Sequence, residues 1–176
     1  MVGFLVLGTL VVFGGSIFDS SSQDGEDSPV DETRRQIEEI ETRVARDPDN
    51  ALDAGVLANI YANEGNLAEA LPLYERATFG RPDDGNLRLA FGIALLRSGS
   101  TLDARVQLEK ALELLPNSSG PPFYLGQLEE RREEPDIDSA REWYERAIET
   151  DPESLLATQA SARLDDLAAT DATATP

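Results

Sequence analysis

Four prolines punctuate this 176-residue chain at near-equal intervals: Pro48, Pro82, Pro116 and Pro152, spaced by 34, 34 and 36 residues. Proline lacks a backbone N–H and its ring clashes with the preceding turn, so at the close of a helical pattern it stops the helix. Each of the four follows such a pattern and precedes a polar residue able to cap the next helix: Asn50, Asp84, Ser118 and Ser154. A period in this range marks a chain of stacked helical units, none of which buries its apolar face alone.

Counted from Ala51, Gly85 and Ser119, with two extra residues in the third, the units share a pattern. The first helix of each carries a large residue followed by a small one: Leu57-Ala58, Phe91-Gly92 and Leu125-Gly126. The second carries Ala70, Ala104 and Ala140, then Tyr74, Leu108 and Tyr144 four residues on, then Ala77, Ala111 and Ala147 three further. Offsets of four and three place these on one helical face. Gly65 and Gly99 suit a left-handed turn between the paired helices. On these residues the chain resembles the tetratricopeptide repeat (TPR) family over residues 51 to 152. The resemblance implies an all-α solenoid of helical hairpins, with repeats at about 51–84, 85–118 and 119–152.

Departures from the pattern mark where the packing should change. Ala54, Arg88 and Pro122 stand where the family carries a first-helix Trp. Glu129 stands where Tyr61 and Leu95 stand, and Glu133 replaces the turn glycine, so EERREEPDID is expected to form an altered, longer turn. Pro72 falls inside a second helix, where a kink is expected. A leading helix capped at Asp31, with Ile37, Ile40 and Val44 as its stripe, is expected to pack on unit one. Leu155, Leu156, Leu164 and Leu167 predict a capping helix over 153–169, so the repeat domain covers 31–169 and 170–176 is read as a disordered tail.

Val2 to Phe18 contains no charged residue, and as a helix it would span about 26 Å, close to the thickness of a hydrocarbon core. Residues 1–18 are therefore read as an N-terminal hydrophobic helix, a single-pass membrane anchor with the repeat domain outside the cytoplasm. A cleaved signal peptide is the competing reading. Its basic n-region and A-x-A-like site are missing, although Gly14-Gly15-Ser16 keeps cleavage open. Residues 19–30, DSSSQDGEDSPV, read as a disordered acidic linker.

Composition narrows the chemistry. With 34 acidic against 15 basic residues, the net charge of −19 repels nucleic acid, whose binding draws on Lys and Arg that displace counterions. The absence of Cys and His removes thiolate metal sites, cysteine nucleophiles and the commonest general base. The carboxylate pairs Asp83-Asp84, Asp136 with Asp138, and Asp165-Asp166 lack the D-x-D-x-D-G loop of a calcium site and read as caps and turns. No catalytic residue, metal ligand or cofactor is assigned.

In TPR proteins the first helices line a concave groove. Carried over residue by residue, the resemblance places Leu52, Asn59 and Asn63, then Leu89, Ile93 and Arg97, then Phe123, Gln127 and Arg131 on that groove. Leu89, Ile93 and Phe123 would anchor apolar side chains of a bound segment, the amides would meet its backbone, and Arg97 or Arg131 would meet a carboxylate. A competing reading has the three apolar residues contacting neighbouring helices. The basic clamp of chaperone-binding members is not reproduced, because Gly55 and Leu89 occupy its positions. The expected function is a membrane-tethered scaffold that binds a protein or peptide segment in assembly or maturation of an envelope complex. One version resembles the repeat subunits of c-type cytochrome biogenesis. A small carboxylate-based hydrolase or cation-binding protein is the alternative of another class.

Overall fold

The computed structural model describes residues 29–174, and among these it contains eight α-helices and no strand. They are α1 (Pro29–Arg46), α2 (Ala51–Glu64), α3 (Leu67–Gly80), α4 (Gly85–Ser98), α5 (Thr101–Leu114), α6 (Gly120–Glu130), α7 (Ile137–Thr150) and α8 (Leu155–Ala174). Helices α2 and α3, α4 and α5, and α6 and α7 form the three hairpins, and each second helix packs on the first helix of the next. The first helices α2, α4, α6 and α8 also touch in succession, whereas α3, α5 and α7 do not touch one another. The stack therefore curves, with first helices on the inner face and second helices splayed on the outer one.

The shared pattern builds the spine. Ala70, Tyr74, Ala77, Ala104, Leu108, Ala111, Ala140, Tyr144 and Ala147 are all exposed by 2% or less. The small residues facing them set the distance between paired helices. A β-carbon at Gly126 would lie 2.7 Å from Tyr144 Cε1, and one at Gly92 would lie 2.8 Å from Leu108 Cγ and 3.3 Å from its backbone nitrogen. Gly65 and Gly99 close α2 and α4 at φ of 86° and 85°, in the left-handed region that glycine adopts without strain. Asn50 caps α2 through the Leu52 and Asp53 amides, Asp84 caps α4 through Leu87, and Ser154 caps α8 through Ala157. Ser118 accepts from Gly120 instead, one residue before the Ser119 cap position.

The third hairpin departs where Glu129 predicts it. Helix α6 has 11 residues against 14 in α2 and α4, and a connection over 131–136 leads to α7, capped by Asp136. Glu129 is 3% exposed, and its carboxylate is held by Arg105 of α5 and by Arg132 Nη1 at 2.9 Å. An ion pair thus stands at a contact between units where Leu95, at the same register, is apolar.

Helix α1 packs on α2 as a leading half-repeat. Val44 is buried, and Arg43 donates to both Asp53 oxygens at 3.0 and 2.7 Å, while the Tyr61 hydroxyl donates to Glu41 at 2.8 Å. The helix begins at Pro29, so Asp31 lies within it rather than at its cap. Helix α3 runs through Pro72 as one element. Helix α8 continues to Ala174, past the boundary expected near residue 169, and Leu155 points outward at 72% exposure while Ala157 and Ala160 take the packing positions.

The expected single-pass membrane location is corrected. Among the described residues no helix is long and apolar enough to cross a membrane. The hydrophobic segment of residues 1–18, and the linker up to residue 28, lie outside the described residues.

Substitutions at three contacts test this account. Gly92→Ala forces a β-carbon against Leu108 and is expected to destabilise the fold by about 1–3 kcal/mol in chemical denaturation. Arg105→Leu leaves Glu129 short of a partner and is expected to cost about 3 kcal/mol, most of which returns when Glu129→Leu is added. Arg43 holds the Asp53 carboxyl below its ordinary value of 3.8, chiefly through the hydrogen bonds it donates. That stabilisation is fully present above the unfolded value and lost as pH falls through the lowered folded one. The gap in thermal midpoint between wild type and Asp53→Asn, present at pH 7, is therefore expected to narrow below roughly pH 4.

Candidate peptide-binding groove

An α-helix returns to the same face every three to four residues, so α2 presents Leu52, Val56, Asn59 and Asn63 as one stripe along the inner face. None of the four is buried: Leu52 is 57% and Val56 37% exposed, and both asparagines are exposed. The matching positions on α4 show Asn86 and Arg97 exposed, with Ala90 and Ile93 half-buried, and Leu89 beside them is half-buried as well.

Three polar groups converge where α2 meets α4. The Tyr74 hydroxyl, arriving from α3, donates to Asn59 Oδ1 at 2.7 Å. Arg97 reaches back from α4 and donates through Nη1 to the Ala62 carbonyl at 2.7 Å. Burial pushes the Tyr74 hydroxyl up to about 12 against the opposing charge of Arg97, so it stays a neutral donor at physiological pH. The arrangement holds the Arg97 guanidinium over the boundary between units one and two. Its remaining N–H groups are available to a carboxylate or carbonyl acceptor.

The other positions divide. Gln127 is half-buried and Arg131, at the end of α6, is exposed. Leu89 fills the space beside Gly120, where a β-carbon would lie 2.8 Å from Leu89 Cδ2, and so packs α4 against α6. Phe123 is 2% exposed and packs in the core, its ring 5.2 Å from Tyr124 and 5.7 Å from Tyr144. It presents no surface to a ligand, and the apolar surface of the groove lies instead on Leu52 and Val56. The reading that gave neighbouring-helix contacts to these residues describes Leu89 and Phe123.

A second polar cluster closes the far end. Arg163 of α8 pairs with Glu130 of α6, beside the buried Tyr144 hydroxyl, which burial holds well above its ordinary value. Sequence reading assigned Arg163 no role. Counting a fourth unit from Pro152, as the first three are counted from their prolines, puts Arg163 at the register of Asn59, Ile93 and Gln127. The carboxylate pairs occupy structural positions: Asp84 and Asp136 cap helices, while Asp138 and Asp166 pair with Arg141 and Arg163. Among the described residues no group of three or more acidic side chains is placed to hold a metal ion.

A curved stack of helical hairpins with an exposed, mixed inner face defines a solenoid of the protein-interaction class. Residues 56–120 and 89–154 match the model of the tetratricopeptide repeat, and together they span more than half of the chain. The chain belongs to the tetratricopeptide repeat family. No curated protein sequence matches it. Among solved structures it is similar to MamA of MSR-1, at 26% identity and a TM-score of 0.63 over 70% of each chain. It is also similar to a second MamA crystal structure, at 20% identity and a TM-score of 0.66 over 81% of this chain and 90% of that one. The first TPR of Spaghetti (RPAP3), bound to the HSP90 peptide SRMEEVD, matches at 20% identity and a TM-score of 0.61, over 69% of this chain and 93% of that one. At 20% identity the likeness is one of fold.

Proposed function

We propose that this chain is a scaffold whose inner face binds a segment of a partner protein, extended or helical, without turnover. The observation that carries the reading is the convergence of Asn59, Tyr74 and Arg97 beside the exposed Leu52 and Val56. Leu52 and Val56 offer apolar area. Asn59, Asn63 and Gln127 offer amides to a peptide backbone, and Arg97 and Arg131 offer cations to an acidic side chain. In a chain of net charge −19, two arginines on one exposed face favour a partner segment with at least one carboxylate. Ile93, half-buried between them, continues the apolar strip from α2 onto α4.

The test is selection of a displayed library of random peptides, about 16 residues long, against the full chain. Peptides bound on the inner face are expected to carry Asp or Glu. They are expected to lose about tenfold or more in affinity on joint Asn63→Ala and Arg97→Glu substitution, with helicity and thermal midpoint preserved. If no selected peptide is sensitive to that pair, the inner face is not the binding site.

A further inference from the structure

We propose a second docking site on the opposite face: the cleft between α3 and α5, shaped for a basic segment that inserts a large apolar side chain. It is separate from the inner groove and shares no residue with it. Three observations meet there.

The first is an apolar side chain that the repeat does not require. Phe79 is 90% exposed, the most exposed large apolar residue described, and the same register in the other units holds Glu113 and Glu149. The fold therefore accepts a charge at this position, and its apolar character has another origin.

The second is an opening beside it. Leu112 and Ile148 pack against the core at a register where α3 has Thr78. Thr78 is short, and its hydroxyl is already bonded within its own helix, to the Tyr74 carbonyl at 2.8 Å and the Glu75 carbonyl at 3.1 Å. With α3 and α5 splayed apart, this leaves a cleft of about 360 Å³, floored by Phe91 and Leu95 and bordered by Phe79. Arg88 closes one side through hydrogen bonds to Gln107 at 2.8 Å and the Pro82 carbonyl at 3.1 Å. A leucine or phenylalanine side chain fits such a volume.

The third is charge. Glu75 on α3 and Asp103 on α5 stand on opposite walls of the cleft, two carboxylates against the single cation Arg88, and neither carboxylate is in an ion pair among the described residues. Set in a molecule of net charge −19, they select a cationic occupant and speed its encounter. A second copy of this chain would bring −19 against −19. Its own segment Val2–Phe18 is apolar but carries no Lys or Arg side chain to meet the two carboxylates.

The same peptide selection against the full chain decides the matter. It is expected to yield a second group of binders in which Lys or Arg flanks Leu, Phe, Met or Trp. These are expected to weaken about tenfold or more with Phe79→Glu, and likewise with joint Glu75→Gln and Asp103→Asn, while Asn63→Ala with Arg97→Glu leaves them unchanged. Phe79→Glu installs the residue that the other two units carry, so the fold is retained. The carboxylate pair gives an independent readout that leaves the apolar floor intact. The proposal is overturned if no binder responds to both sets, or if the responsive binders lack basic residues. It is equally overturned if sedimentation of the peptide-free chain shows a dimer that Phe79→Glu disperses, because the patch would then join two copies.

Discussion

Every other feature of this molecule depends on how closely two helices of a pair can approach. Gly126 lies under the Tyr144 ring and Gly92 under Leu108, at separations where even a methyl group would collide. With one partner reduced to hydrogen, the large residue of the other helix lies flat in the interface and reaches full burial. That contact fixes the rotation of each second helix about its axis. It thereby decides which side chains point inward to the spine and which outward to solvent. The curvature follows, because first helices held this closely also touch their neighbours while the second helices diverge.

The same contact explains why the spine was legible in the sequence. Small-large pairing is local, recurs three times, and is punctuated by prolines and by caps whose chemistry is local as well. Asn50, Asp84, Gly65 and Gly99 all serve as their residue types predict. What escaped depends on residues far apart along the chain. Arg105 and Glu129 are 24 positions apart, and Glu130 and Arg163 are 33 apart. Neither distance leaves a periodic signature. Phe123 was assigned to the groove because the family register places it there, but in this chain it packs against Tyr124 and Tyr144. Residues 170–176 hold only small and polar side chains and read as a tail, yet α8 keeps helical form to Ala174. The membrane reading rested on the hydropathy of a segment taken by itself, and the described helices contain no counterpart to it.

The inner and outer faces differ in chemistry as well as shape. On the inner face Arg97 is the exception in an acidic molecule, and it stands beside the exposed amides of α2. On the outer face the exception is apolar area, and its neighbours are carboxylates without ion-pair partners. Opposite deviations on opposite faces suit two segments of unlike charge, and occupying one would not obstruct the other. Both faces are built on rigid helices whose orientation the spine has already set, so neither needs to order a loop on binding. The entropic cost of association then falls mainly on the incoming segment.

Three copies of one unit also provide an internal control that a single domain lacks. A residue that departs from its two counterparts is either compensated nearby or it is not. Glu129 in place of an apolar residue is compensated: Arg105, basic like Arg141 at the same register in unit three, supplies the countercharge. Thr78 in place of a leucine or isoleucine has no such partner, since no larger neighbour fills the volume it leaves. Phe79 in place of a glutamate gains no packing, because nine-tenths of its surface stays in water. An exposed phenylalanine beside an unfilled cleft gives up solubility without adding stability, and aromatic side chains of this kind carry much of the energy in protein interfaces. Compensated departures therefore belong to the fold. The uncompensated ones at Thr78 and Phe79, lying side by side, are where a partner is needed to complete the packing.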